Sequence, residues 1–177
     1  ILSSVDNSLR ALQVDEIDLL LIHRPDPLMN ADEVAQAFEQ LYQTGKVQHF
    51  GVSNFTPSQF DLLQSRLERP LVTNQLEISP LAMHTLSDGT LDQCQQYHCP
   101  PMAWSCLGGG EIFNSQSERA QRLRQTLSQI AANHGIHPAT LCVKWAAQRG
   151  QVPIPMSSRR RNYLANLQSV CSDPLTD

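Results

Sequence analysis

His23 is the first residue placed to do chemistry. It ends the run Ile17-Asp18-Leu19-Leu20-Leu21-Ile22, apolar but for Asp18 and so read as a buried parallel strand. Pro25 and Pro27 follow and forbid a simple continuation. A titratable imidazole at the carboxyl end of such a strand stands where α/β folds place acid–base and hydrogen-bonding groups. A histidine satisfied by neighbours or facing solvent is the alternative. Cys94, His98, Cys99 and Cys106 also invite chemistry, because they lie close together as zinc ligands do. They lack a CxxC pair, and Cys94 and Cys106 fall in different predicted elements. No metal is therefore expected, and the thiols read as core or surface groups.

Four further strands are expected downstream, each with polar or glycine residues at its carboxyl end. Before the His23 strand, Ile1, Val5, Leu9 and Leu12 recur at helical spacing, giving an amphipathic helix that ends before Asp15. After it, Asn30 caps a helix with Val34, Phe38, Leu41 and Tyr42 on one face, ended by Gly45. Val47 to Val52 is the second strand, stopping at Ser53-Asn54-Phe55. Thr56-Pro57-Ser58-Gln59 then combines a cap, a first-turn proline and a capping-box glutamine, with Phe60, Leu63 and Leu67 as the apolar face. Leu71 to Glu77 is the third strand, and Thr90 with Gln93 boxes a short helix reaching Tyr97. Pro101 to Ser105 is the fourth strand, leading into Leu107-Gly108-Gly109-Gly110 and an irregular stretch to Ser117. Ala120, Leu123, Leu127, Ile130 and Ala131 form a helical stripe stopped at Gly135, and Pro138 opens another helix through Leu141 and Trp145. Val152 to Pro155 is a fifth strand, short because its prolines lack donors, and Arg161 to Val170 a closing helix. Strand and helix alternate five times without a hairpin signal, which argues a parallel sheet with right-handed helical crossovers. Neither GxGxxG nor GxxxxGK[ST] is present, so the two common nucleotide-binding loops lose their sequence support.

The 177 residues can bury a core as a single domain, residues 1–177. A net charge of −4, with Arg159-Arg160-Arg161 as the sole basic cluster, offers no electrostatic case for nucleic acid or an anionic membrane. No apolar stretch approaches the ~20 residues that span a bilayer, and no signal-peptide pattern opens the chain, so a cytoplasmic protein is the expectation. Five cysteines without framework spacing suit reduced thiols. Both ends look cut: the chain opens at Ile1 in a helix and closes at Asp173-Pro174-Leu175-Thr176-Asp177 as if another helix began.

Five stretches together carry a resemblance that covers nearly the whole chain: Asp18–His23, Gly51-Val52-Ser53-Asn54-Phe55, Thr73-Asn74-Gln75-Leu76-Glu77, Trp104-Ser105-Cys106-Leu107-Gly108, and Pro153–Asn166. In this order, each at a strand's carboxyl end, they resemble the aldo-keto reductases. The resemblance implies a (β/α)8 TIM barrel, incomplete here, with about the last five strands and their helices present. It implies an NADP(H) site at the barrel mouth and a small carbonyl substrate. His23 matches the histidine of the catalytic tetrad; Ser53, Asn54 and Gln75 match the groups that hydrogen-bond the nicotinamide carboxamide, supplying both donors and acceptors. Trp104 matches the aromatic stacked on the nicotinamide ring, and Ser105, Leu107 and Gly109 the loop around the pyrophosphate. Ser157, Ser158 and Arg159 match the segment that grips the adenosine 2′-phosphate, and Asn166 a contact to adenine. Positive charge at Arg159–Arg161 opposes the helix dipole unless an anion is bound, which favours phosphate over a solvated helix start.

The chain departs from the family at Met156, Asn162 and Ala165, where lysine or glycine, arginine and glutamate are common. These changes bear on the strength of the NADPH preference. The tetrad's aspartate, tyrosine and lysine belong to the first part of the barrel, and Tyr42, Tyr97 and Tyr163 fall on or beside helices. The reading is thus the carboxyl-terminal portion of a reductase that converts aldehydes and ketones to alcohols. Alone it is expected to be inactive and prone to self-association through the missing barrel strands. Two rivals are a non-catalytic nicotinamide-binding regulatory subunit of the same fold, and another (β/α)8 enzyme using Glu77 at a strand end.

Overall fold

A computed structural model describes residues 1–156, 160–171 and 175. Five strands, β1 (Ile17–Ile22), β2 (Val47–Ser53), β3 (Leu71–Glu77), β4 (Met102–Trp104) and β5 (Val152–Ile154), lie in the order β1-β2-β3-β4-β5. The helices are α1 (Leu2–Leu12), α2 (Ala31–Gln43), α3 (Pro57–Gln64), α4 (Thr90–Gln96), α5 (Glu111–Asn114), α6 (Glu118–Asn133), α7 (Pro138–Gln148) and α8 (Arg160–Cys171). The chain divides into two compact units, Ile1–Gln75 with Asp92–Cys99, and Leu76–Leu91 with Pro100–Asp177.

In the first unit β1 pairs with β2 in parallel, Leu20 beside Phe50 and Leu21 beside Gly51. The helices form for the reasons their ends give. Asn30 Oδ1 accepts the Asp32 and Glu33 N–H groups at 3.0 and 3.4 Å, and Thr56 and Gln59 close the capping box of α3. Val34, Phe38 and Leu41 bury one face of α2, and the Phe38 ring stacks on Phe50 of β2 at 4.2 Å. Gly51 sits where β1 and β3 leave no room. A Cβ there would stand 2.7 Å from Leu21 Cδ2 and 2.8 Å from the Thr73 carbonyl oxygen. Gly51→Ala is therefore expected to cost about 1–3 kcal/mol. A thermal melt should show Tm falling by about 2–4 °C per kcal/mol; an unchanged Tm would mean that β3 yields without strain.

In the second unit β4 and β5 pair in parallel, Met102 beside Val152 and Trp104 beside Ile154. The core gathers Ile112, Leu127, Ala131, Leu141 and Cys142, with Leu81, Leu107 and Leu123 packed against it. Ser117 caps α6 and His137 caps α7 ahead of Pro138.

Five sequence expectations differ in detail. α3 stops at Gln64, short of Leu67, because the Gln64 side chain turns to the following loop, accepting Leu71 N–H at 2.8 Å and donating to Arg69 O at 3.2 Å. Thr90 and Gln93 form no capping box. Asp88 Oδ1 takes the Thr90 N–H, and Gln93 Nε2 donates instead to Pro57 O and Asp61 Oδ1, both at 2.8 Å. Ile130 is 40% exposed, leaving Ala120, Leu127 and Ala131 as the buried edge of α6. β4 and β5 are each shorter than read, at three residues. The stretch before Ser117 is not irregular: a 3₁₀ turn at Gly108–Gly110 feeds α5, which is too short to show a period. Among the described residues no helix is long and apolar enough to cross a membrane.

Candidate functional site

The first unit brings three of the named side chains together at the ends of β2 and β3. β2 ends at Ser53, which is 1% exposed, and the chain leaves the sheet through Asn54 in the left-handed region at φ 59°. Asparagine tolerates that conformation better than most residues. Ser53 Oγ and the Asn54 N–H both donate to the Gln75 carbonyl at 2.9 Å, while Asn54 Nδ2 donates to Ser53 Oγ at 2.9 Å. These bonds fix Ser53 and Asn54 against β3. The Gln75 side-chain amide is half-buried and makes no hydrogen bond to any described residue. It therefore keeps both an amide donor and a carbonyl acceptor for a ligand.

The alignment of those ends depends on a bulge. Phe50 pairs with Leu71 but Val52 with Asn74, so two residues of β2 are spanned by three of β3. The residue that exploits it is Asn74, which lies in the resembling stretch Thr73-Asn74-Gln75-Leu76-Glu77 and has no role assigned from the sequence. It is fully buried, donates Nδ2 to the Phe55 carbonyl at 2.9 Å and accepts the Phe55 N–H at 3.4 Å. Two adjacent amides, Asn74 and Gln75, inside a predicted strand were the available signal.

His23 lies directly beyond β1, as expected, and is exposed; its imidazole makes no hydrogen bond among the described residues. The strand fixes its backbone. Beyond it, Asp26 ties the loop, accepting the Leu28 N–H on Oδ1 at 2.9 Å and the Met29 N–H on its carbonyl at 3.0 Å.

In the second unit Trp104 closes β4, half-buried, and its carbonyl accepts the Ile78 N–H at 3.4 Å. Ser105 takes φ 55° and its carbonyl accepts the Gly108 N–H at 2.6 Å, so the chain turns sharply there. Gly108, at φ +63°, has no room for a side chain: a Cβ would meet Ile112 Cγ1 at 3.0 Å. Leu107 packs into the Ile112 cluster, so what it offers a ligand is its backbone. Gly109 is exposed, and a Cβ there would meet only Ser105 Oγ, at 3.6 Å. Arg124, unremarked in the sequence reading, braces the segment by donating Nη1 to Ile112 O at 3.0 Å and Ser115 O at 2.8 Å. Ser157, Ser158, Arg159 and the side chain of Asn166 lie outside the described residues.

Tyr42 lies under the Arg69 guanidinium, 3.3 Å from its ring centre, and the Tyr97 hydroxyl donates to Asp61 at 3.0 Å. Both are engaged on helices or helix ends. Cys94, Cys99, Cys106 and Cys142 are free and buried, and no group of three or more His, Cys, Asp or Glu among the described residues is placed to hold a metal.

The Aldo/keto reductase family model matches residues 1–177, and the chain belongs to that family. Over 131 residues it is 62% identical to the oxidoreductase YdhF of Escherichia coli (strain K12), covering 74% of this chain and 43% of YdhF. The thermostable aldo-keto reductase Tm1743, solved with the inhibitor epalrestat, superposes with a TM-score of 0.89 at 29% identity, over 99% of this chain and 62% of that one. An aldo/keto reductase from Klebsiella pneumoniae, solved in complex with NADP and acetate, superposes with a TM-score of 0.83 at 25% identity, over 98% and 60%. The chain spans about half the length of the curated relatives it matches. The fold is α/β, and its five parallel strands and their helices are an incomplete (β/α)8 barrel.

Proposed function

We propose that this chain is the carboxyl-terminal part of an NADP(H)-dependent reductase of aldehyde and ketone carbonyls. The observation that carries the reading is the strand-end cluster of Ser53, Asn54 and Gln75, in which the first two are locked and the Gln75 amide has no hydrogen-bond partner among the described residues. A carboxamide has a donor pair and an acceptor, so the donor set fits a nicotinamide. Ser53, Asn54 and Gln75 would hold that amide, Trp104 would lie on the ring, and the backbone of Ser105, Leu107 and Gly109 would take the pyrophosphate. Ser157, Ser158 and Arg159 would bind the 2′-phosphate, with Asn166 on adenine. When bound, the reduced nicotinamide supplies a hydride to the carbonyl carbon. His23 would donate a hydrogen bond to the carbonyl oxygen as negative charge develops there. The reading assigns the family's tyrosine, aspartate and lysine to the rest of a longer enzyme. Four buried free thiols suit a reducing compartment, which supports a cytoplasmic location.

In the complete enzyme, Gln75→Leu removes two hydrogen-bonding groups and leaves the volume nearly unchanged. Those bonds contribute ~0.5–1.5 kcal/mol each, so NADPH affinity should fall about tenfold or more in a fluorescence titration. Wild-type affinity in Gln75→Leu would remove this cluster from the cofactor site.

A further inference from the structure

We propose that Asn74 is a positioning residue for the nicotinamide end of the cofactor site, acting on Ser53 and Asn54 through the backbone of Phe55. The inference rests on the cofactor reading above.

At the end of β2 the chain must do two things at once. It leaves the sheet with Asn54 in a left-handed conformation, and it buries Phe55 at 1% exposure directly afterwards. Leaving the sheet deprives Phe55 of ladder partners, and buried N–H and C=O groups are costly when unpaired. Asn74 supplies both missing partners from one side chain, its Nδ2 to the Phe55 carbonyl at 2.9 Å and its Oδ1 to the Phe55 N–H at 3.4 Å. A side-chain amide has the same donor and acceptor pair as a peptide unit, so Asn74 stands in for a neighbouring strand at the point where pairing stops. A hydrophobic residue could fill the space and would do neither.

The bulge makes this possible. With two residues of β2 set against three of β3, Asn74 comes level with Val52 and Gln75 with Ser53. Consecutive strand residues point to opposite faces. One step of β3 thus provides an amide that grips the loop and, next to it, an amide without a partner among the described residues. Ser53 and Asn54 are then held from both ends. The Gln75 carbonyl fixes Ser53 Oγ and the Asn54 N–H, and Asn74 fixes the residue that follows. Releasing Phe55 removes what enforces the left-handed turn, so Asn54 and Ser53 lose their orientation while the rest of β2, paired to β1, is unaffected.

The test uses the complete enzyme, wild type and Asn74→Ala, titrated with two probes. NADPH carries the nicotinamide; adenosine 2′,5′-bisphosphate carries only the adenine end. Asn74→Ala should weaken NADPH about tenfold and leave the bisphosphate within twofold, and amide exchange at Phe55 should quicken. Should Asn74→Ala fail to fold, Asn74→Asp replaces it. That variant keeps the shape and the acceptor but loses the donor, and the same split is expected. Where the wild type binds both probes, equal weakening of both, or unchanged NADPH affinity, overturns the positioning role and leaves the cofactor reading standing. A wild-type enzyme that binds neither probe overturns the cofactor reading and this role with it.

Discussion

Replacing His23 with alanine in the complete enzyme should lower kcat by about a hundredfold or more while NADPH affinity holds, the usual loss for one donor to developing charge. β1 fixes the position of the residue, because its register with β2 continues to Ile22 beside Val52. The imidazole beyond it is exposed and has no described partner competing for its nitrogens. Its interaction would strengthen as the carbonyl oxygen gains charge, so the loss should fall on turnover rather than on cofactor binding. A histidine that merely filled space would show the reverse: a lowered Tm and near-normal kcat. Exposure already speaks against that, since substitutions at exposed positions usually change stability by about 0.5 kcal/mol or less. Measuring Tm and kcat on the same His23→Ala protein separates the two. An unchanged kcat would exclude His23 from catalysis.

The second large effect is loss of stability in alkali. Cys142 is fully buried in the core of the second unit, and burial, reinforced by Cys106, pushes its thiol up from an ordinary value near 9 to about 12. The folded protein therefore holds this proton more tightly than the unfolded chain does. Below pH 9 the contribution is fully present. As pH rises from about 9 toward 12 the unfolded chain ionises first and stability falls. The slope is about 1.4 kcal/mol per pH unit for one group, so Cys142 alone is worth up to ~4 kcal/mol across that window. Burial raises Cys106 as well. Cys94 and Cys99 oppose one another, because the Cys94 thiol hydrogen-bonds Cys99, which raises the first and lowers the second. Urea melts between pH 8 and 11 should show stability falling steadily, and Cys142→Ala should reduce the slope even though its stability at pH 8 is lower. Equal slopes in the two proteins would contradict a buried neutral thiol.

Much of the fold was legible because burial writes itself into periodicity. Ile17–Ile22 and Leu71–Glu77 were read with the bounds they have, and Asn30 and Thr56 were recognised as caps because capping needs particular side chains at fixed offsets. What escaped was set by tertiary contact. Gln93 has the spacing of a capping box, but its amide finds Asp61 and Pro57, partners no local pattern reveals. Ile130 fits the stripe of α6 and still faces outward, since the packed arc is narrower than the apolar one. At the candidate site, His23 stood out because strand ends in α/β folds carry chemistry, and Ser53 and Gln75 because the resemblance to the aldo-keto reductases implies them. Asn74 and Arg124 did not, because their work is to hold backbone groups that become orphans only once the chain has turned. The bulge in β3 is likewise invisible in a sequence that reads as seven regular strand residues.

The most direct test of the account follows the hydride. The complete enzyme, given NADPH deuterated at the transferred position and a panel of small aldehydes and ketones, should yield alcohols with deuterium on the former carbonyl carbon, and His23→Ala should slow that transfer about a hundredfold. Saturable NADPH binding with no deuterium transferred to any carbonyl would contradict the reductase reading and point to a nicotinamide-binding subunit without catalysis.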